Sequence, residues 1–144
     1  MEFLLPYKIT IWVIGLVGLL LLLQLIVLDV AILSKKHIPG FAIEANHEHF
    51  LFRANRALAN SNESLGIFIV FVLFALFSQP TAHWVNGFAV VYLFGRVGHM
   101  LCYYFNLKVL RSIFFVVSLL GLRTYPKRDL FQTMRPQAKC NMAS

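Results

Sequence analysis

The feature that most constrains the fold is a long apolar run near the N-terminus. It covers 26 residues, Ile9 to Ser34, between Lys8 and Lys35, and only Gln24 and Asp29 interrupt it with strongly polar groups. A helix needs ~20 apolar residues to cross the ~30 Å hydrocarbon core of a bilayer. The run exceeds the apolar region of a secretory signal peptide and lacks a small-residue cleavage site. We therefore predict a retained transmembrane helix.

Three further apolar runs follow in the 144-residue chain, whose hydrophobic fraction is 59% and whose charged fraction is 13%. Such a composition favours a membrane protein over a water-soluble domain. The runs cover residues 65–77, roughly 84–105 and 109–122. The run at 65–77 is too short to span, so we expect its helix to extend back through a polar segment to about Ala54. The last run spans a bilayer only if its helix continues toward Pro126. We predict an all-α membrane protein, a four-helix transmembrane bundle over residues 1–125, followed by a polar, basic tail over residues 126–144.

The charge balance narrows the classes of partner. Thirteen Lys and Arg residues oppose six Asp and Glu residues, giving a net charge of +7, and the basic residues lie at the ends of apolar runs. This placement indicates membrane flanks or an anionic ligand, and we expect no nucleic-acid partner. Basic residues favour a cytoplasmic first and third loop, whereas the basic tail argues for the opposite topology. The HxH of His47 and His49 lacks a third ligand with suitable spacing, so we expect no metal site.

Two helical stripes of polar residues lie at bilayer depth. The first, in helix two, has spacings of 3, 4 and 3, and the second, in helix three, has spacings of 4, 3 and 4, which keep side chains on one helical face. Ionisable groups in a membrane cost at least ~2.5 kcal/mol each, so they normally face the bundle interior, and here we expect the stripes to face each other or a subunit boundary. The members are Arg53, Arg56, Asn60 and Glu63 in helix two and Tyr92, Arg96, His99 and Tyr103 in helix three.

A structural interpretation of the stripes is also open, in which Arg56 or Arg96 pairs with Glu63 or Asp29 to lock helices together. The charges do not balance, however. Arg56, Arg96 and Arg111 exceed the two carboxylates by one positive charge, which an anionic ligand would neutralise.

Arg111 and Ser112 open helix four directly after a tight turn. An arginine near a thiol stabilises the thiolate, and a serine hydroxyl can donate a hydrogen bond to the sulfur. The pair suits a thiol ligand, although Arg111 alone would serve equally well as an anchor at the membrane interface.

These residues resemble a known family, the membrane-associated proteins in eicosanoid and glutathione metabolism (MAPEG). The resemblance rests on RANRALANSNE in helix two and GRVGHMLCYYFNLKVLRS across helices three and four. The histidine at His99 makes it more similar to the branch of microsomal glutathione transferase and microsomal prostaglandin E synthase.

The resemblance implies a homotrimer that holds glutathione, a co-substrate, at subunit interfaces. It implies a glutathione S-transferase, and also a glutathione peroxidase, acting on lipophilic electrophiles from the lipid bilayer. Arg111 and Ser112 would be catalytic, with Arg111 stabilising the thiolate. Glutathione-binding residues would be Arg53, Arg56, Asn60, Glu63, Arg96, His99, Tyr103 and Tyr104.

The sequence departs from the prostaglandin synthase pattern at Ala59 and Ile32, where that enzyme has arginines. The gap between Tyr103 and Arg111 is also one residue shorter, so Tyr104 could share the tyrosine role. Two other functions are kept open: a non-catalytic lipid-binding scaffold like the family's lipoxygenase-activating protein, and a transporter, which would need a continuous polar path. We expect a multi-pass integral membrane protein, in a bacterial inner membrane rather than the endoplasmic reticulum.

Overall fold

Four α-helices, each antiparallel to the one before it, form the described part of the protein. The computed structural model describes residues 2–38, 40–78 and 81–123. A short 3-10 helix, Glu2–Tyr7, leads into α1, Lys8–Ser34, and is followed by α2, Phe50–Ser78, α3, Ala82–Tyr104, and α4, Lys108–Arg123. The all-helical prediction is confirmed for these residues. The predicted tail and the continuation of helix four toward Pro126 lie outside the described residues.

Three of the described helical segments are long and apolar enough to cross a membrane: Leu4–Ser34, Phe50–Ser78 and Ala82–Tyr104. The polar first turns of α2 are helical, so the predicted extension of its short apolar run is confirmed. The 16 residues of α4 measure about 24 Å at the helical rise, less than the ~30 Å hydrocarbon core. The described residues therefore form an integral membrane bundle with three spans and a shorter fourth helix, whose crossing stays a prediction.

The half of the bundle farther from the start of α2 contains an apolar cluster. The cluster joins α1, α2 and α3 there, and Phe68 stacks on Tyr92 with 4.1 Å between ring centroids. Most of the outer surface of α1 is also apolar, which suits lipid contact, since a helix that is apolar on all sides is stable only when it is buried or in a membrane. The cluster consists of Val13, Val17, Phe68, Val72, Ala89 and Tyr92.

α3 and α4 approach each other closely, and two glycines of α3 permit the approach. A Cβ atom on Gly95 would lie 2.9 Å from the backbone N and Cα of Ser118, and one on Gly98 would lie 2.4 Å from the ring of Phe114. Small residues at helix contacts are the usual means by which membrane helices pack backbone to backbone. The two glycines thus fix α4 against the polar stripe of α3.

Both α1 and α3 end in the same cap, at the side of the bundle where α2 and α4 begin. Lys36 and Asn106 have positive φ angles, 51° and 58°. The next residue donates back into the helix each time, from His37 N to the Ile32 carbonyl and from Leu107 N to the Cys102 carbonyl. This is the Schellman pattern, which satisfies the last carbonyls of a helix. At Asn106 this cap leads the chain directly from α3 into α4.

At the opposite side of the bundle, Asn86 of α3 completes the broken first turn of α1. Its Oδ1 accepts hydrogen bonds from the backbone N and the Oγ1 of Thr10, at 3.0 and 2.7 Å, and its Nδ2 donates to the Pro6 carbonyl at 2.9 Å. In a regular helix Thr10 N would donate to the Pro6 carbonyl itself. The amide bridges the two groups and ties the start of α1 to α3.

We expect Asn86→Ala to destabilise the bundle by about 1–2 kcal/mol, because it leaves one backbone donor and one backbone acceptor without their partner. Thermal unfolding of the detergent-solubilised protein measures the effect. Asn86→Asp is the matched control: it keeps the acceptor for Thr10, loses the donor to Pro6, and should fall between wild type and alanine. Equal stability of all three proteins would contradict the bridging role.

Candidate functional site

A buried arginine joins three helices at the centre of the described bundle. Arg96 of α3 is only 1% exposed. One of its terminal nitrogens donates to Oδ1 of Asn60 in α2 at 2.8 Å, and the other donates to Oγ of Ser118 in α4 at 2.9 Å. Ser118 in turn donates to the Phe115 carbonyl at 2.7 Å. The predicted meeting of the two polar stripes is thus observed at the Arg96–Asn60 contact.

The partners of Arg96 are neutral. Aromatic faces complete its surroundings, with the guanidinium carbon 5.6 Å from the ring centroid of Tyr92 and 5.7 Å from that of Phe115. Its Nε is buried without a hydrogen-bond partner among the described residues. The alternative interpretation, in which Arg96 pairs with Glu63 or Asp29, does not fit the described residues, because both of those carboxylates lie on exposed faces. A desolvated cation with neutral partners favours a nearby anion.

A cavity of about 260 Å³ lies directly beside this arginine. It is bounded by α2, α3 and α4, toward the side of the bundle where α2 and α4 begin. Its rim includes exposed side chains of α4, Ser112 and Val116, so the cavity opens on the outer face of that helix. The lining residues are Asn60, His99, Tyr103, Arg111, Ser112, Phe115 and Val116.

Arg111 supplies a second positive charge, in the first turn of α4. Its guanidinium carbon lies 4.7 Å from the ring centroid of Tyr103, a distance at which the ring face attracts and orients the cation. Tyr103 is itself buried at 7% exposure and packs edge-on against His99, with 5.0 Å between centroids. Arg111 is therefore held at the cavity by a buried aromatic pair.

His99 lies on the polar face of α3, between Arg96 of the same helix and Arg111 of α4. It is 2% exposed, and its Nδ1 is buried without a hydrogen-bond partner among the described residues. Buried ring nitrogens normally find a partner, so this histidine has bonding capacity left for a ligand. No acidic side chain belongs to the lining of the cavity. With Arg96 behind it and Arg111 at its edge, the cavity has the electrostatics of an anion site.

The predicted residues separate into two groups. Asn60, His99, Tyr103, Arg111 and Ser112 line the cavity, and Arg96 lies behind it, bound to Asn60. Four others lie outside its lining within this single chain: Arg53, Arg56, Glu63 and Tyr104.

Each residue of the second group has a defined place. Arg53 donates to the carbonyls of His47 and Glu48, both at 2.8 Å, and so closes the loop before α2. Tyr104 packs against Phe50, with 5.5 Å between ring centroids. Arg56 and Glu63 project from α2 as exposed side chains, within a helix that is long and apolar enough to cross a membrane.

Phe115 and Ser118 belong to the site but were not predicted from the sequence. They continue the face of α4 from Arg111 in steps of 4 and 3 residues, the spacing that identified the stripes of α2 and α3. A serine or a phenylalanine is common in an apolar helix, so the residue type alone does not suggest a functional role. Only this spacing could have indicated that the two belong to the site. Arg96 needs both, one as a hydrogen-bond acceptor and one as an aromatic face.

The fold and cavity define a helical membrane protein with a polar, positively charged site between three helices. Comparison with protein families gives the same class: the MAPEG family matches residues 9–124. The chain belongs to the MAPEG family, whose members act in eicosanoid and glutathione metabolism and include glutathione transferases as well as proteins without enzymatic activity. Neither the curated proteins nor the solved structures gave a significant match.

We expect Gly95→Ala to disrupt the site through α4. The added methyl group would lie 2.9 Å from the Ser118 backbone, so α4 must move away and the Arg96–Ser118 hydrogen bond must lengthen. Overpacking of this kind typically costs ~1–3 kcal/mol, which thermal unfolding in detergent would measure. Gly87→Ala on the same helix is the matched control, since nothing lies within 4 Å of its Cβ. A Gly95 variant as stable as this control would contradict the packing argument.

Proposed function

We propose that this protein is a membrane-bound glutathione S-transferase, with glutathione peroxidase activity at the same site, acting on lipophilic electrophiles that enter from the bilayer. The observation that carries the proposal is a three-helix cavity with Arg111 at its edge, buried Arg96 behind it and no acidic lining residue. Glutathione is a tripeptide with two carboxylates and a thiol, so it matches surplus positive charge in a site that also offers amide and imidazole groups.

Arg111 is the residue that we expect to activate the thiol. A guanidinium beside a thiol favours the thiolate, which is the nucleophilic form. Its position over the Tyr103 ring, 4.7 Å from the centroid, holds the charge in place before the ligand binds. Ser112 follows at the same edge of the cavity and can donate a hydrogen bond to the sulfur.

The reaction that follows is nucleophilic substitution or addition. The thiol proton leaves to solvent, and the sulfur forms a bond to the electrophilic carbon. In substitution the leaving group departs with its electron pair, whereas in addition the electron pair of the opened double bond takes up a proton from solvent. In the peroxidase reaction the thiolate attacks the terminal oxygen of a lipid hydroperoxide, the O–O bond breaks, and the alkoxide leaves as the lipid alcohol after taking a proton from solvent. The thiol of a second glutathione then attacks the resulting sulfenic acid, which forms the disulfide and releases water. Both reactions use one poised thiolate.

The apolar side of the same cavity suits a substrate dissolved in lipid. Phe115 and Val116 line it beside the polar groups, and Val116 is 52% exposed on the outer face of α4. Because pockets for such ligands combine apolar walls with a few polar groups, a lipophilic electrophile can approach the thiol without passing through water. The apolar cluster of Val13, Phe68 and Ala89 occupies part of the other half of the bundle, which favours a one-sided site over a transport path.

We propose further that the site is completed in a homotrimer, at interfaces between subunits. The exposed charges of Arg56 and Glu63 at bilayer depth support this, because charged side chains facing lipid are costly and normally face protein or water. A neighbouring subunit on this face of α2 would cover them and bring them to bound glutathione. Arg53 and Tyr104 stay predicted glutathione contacts.

We expect Arg111→Ala to abolish the thiolate absorbance in the ultraviolet that appears when purified protein binds glutathione. The transferase rate with a model electrophile such as chlorodinitrobenzene should fall at least ~100-fold, in line with the loss of one preorganised charge. Lys108→Ala, which removes an exposed cation one turn earlier in α4, should leave both signals unchanged.

Two results would argue against this role. No binding by the wild type at millimolar glutathione would reject the transferase and favour a lipid-binding scaffold. If the Arg111 variant retained the thiolate absorbance, the transferase hypothesis would stand, but Arg111 would not be the residue that activates the thiol.

We expect Arg56→Ala to weaken glutathione binding by about tenfold or more, since a charge-assisted hydrogen bond is worth ~1.5–3 kcal/mol. Calorimetry on the native oligomer measures this. Asn62→Ala is the control, because Asn62 is also exposed on α2 but lies on a different helical face. A monomer in native mass spectrometry, or an Arg56 variant that binds like wild type, would contradict the interface site.

A further inference from the structure

A second cavity lies between the end of α1 and the start of α2, on the outer surface of the described bundle. Its volume is about 290 Å³, and apolar side chains form nearly all of it. It shares no residue with the cavity at Arg111. The lining residues are Ile26, Val27, Val30, Ala31, Ser34, Lys35, Phe50 and Leu51. We call this cavity the α1–α2 groove.

The interior of the groove suits a hydrocarbon chain. Buried Ala31 and Leu51 form its floor, at 7% and 8% exposure, and Ile26 and Val30 line it as exposed side chains. Ser34 is the one neutral polar residue of the lining, and its hydroxyl donates to the Val30 carbonyl at 2.7 Å. That hydrogen bond takes up the only hydroxyl donor, so nothing in the interior selects a polar ligand.

One wall is fixed from behind, which keeps the groove open. Phe50 lies at 5.5 Å from the ring of Tyr104 and at 5.8 Å from the guanidinium carbon of Arg53. Arg53 is in turn held by two backbone carbonyls of the preceding loop. A ring fixed in this way cannot easily rotate into the groove and fill it.

The length of the groove matches one leaflet. From Ile26 to Lys35 the lining residues of α1 extend about 13 Å along the helix, and half of the ~30 Å hydrocarbon core is ~15 Å. The groove ends where α1 ends, at the polar loop that begins with Lys35. One acyl chain of one lipid molecule can therefore lie in the groove with its headgroup at the lysine end.

The headgroup end is basic. Lys35 and Lys36 are both exposed, and their hydrogen bonds are the backbone bonds of the α1 cap. Lys36 takes a positive φ of 51°, a position where glycine or asparagine is usual. Two exposed cations at the end of an apolar groove match the phosphate of an anionic lipid.

We propose that the α1–α2 groove is a binding site for one anionic phospholipid, with an acyl chain against Ala31 and Leu51 and its phosphate at Lys35 and Lys36. The site is separate from the catalytic cavity and does not depend on the proposed transferase activity. It anchors the α1 end and the loop before α2 to one leaflet.

Native mass spectrometry of the full-length protein, purified with an equal mixture of phosphatidylglycerol and phosphatidylcholine, tests the proposal. The wild type should retain phosphatidylglycerol preferentially. Removing both charges in Lys35→Gln/Lys36→Gln should reduce that preference about fivefold per lysine, since one basic residue near an anionic surface is worth ~1 kcal/mol. Lys8→Gln, at the opposite end of the same helix, should leave the preference unchanged.

A second variant separates the groove from general surface charge. Val30→Trp places a large side chain into the groove from an exposed position, 56% exposed in the wild type, and should reduce retention of both lipids without lowering the unfolding temperature. An undiminished phosphatidylglycerol preference in the double lysine variant, or undiminished lipid retention in the Val30 variant, would overturn the proposal.

Discussion

The bundle depends on one constraint: the guanidinium of Arg96 is buried between helices, and no carboxylate of the described residues pairs with it. Arg96 is 1% exposed, and it is satisfied by the neutral groups of Asn60 and Ser118 on the two helices that flank α3. An unpaired charge in a dry environment would be very costly. The surrounding dipoles and aromatic faces reduce that cost, and an anion bound in the adjacent cavity would reduce it further.

The close packing of α3 and α4 follows from this requirement. Ser118 reaches Arg96 only because Gly95 lets the two backbones approach within a distance that no Cβ would allow. The Schellman turn at Asn106 returns the chain into α4 directly, so that Arg111 comes to lie over Tyr103. The same contacts thus support the fold and the proposed chemistry. Replacing Gly95 with a larger residue should therefore disturb the site although Gly95 itself does not contact the ligand.

Much of this arrangement could be predicted from the sequence, since helical spacing is a physical property of the chain. The steps of 3 and 4 residues placed Asn60, Arg96, His99 and Tyr103 on facing surfaces, and the long apolar run fixed α1 as a membrane helix. Ser118 was missed because a lone serine in an apolar helix has no distinctive type, and its role depends on a tertiary contact. The sequence also could not show that Arg56 and Glu63 are exposed in a single chain. Their exposure depends on which face α2 turns toward α1 and α3.

The central claim is that the cavity between α2, α3 and α4 binds glutathione as an anion. Calorimetric titration of the purified protein with glutathione and with its diethyl ester, in which both carboxylates are neutralised, tests this most directly. We expect glutathione to bind and the diester to bind at least ~tenfold more weakly, because charge-assisted hydrogen bonds to the arginines are lost. Equal affinity for the two ligands, or no binding of glutathione, would contradict it.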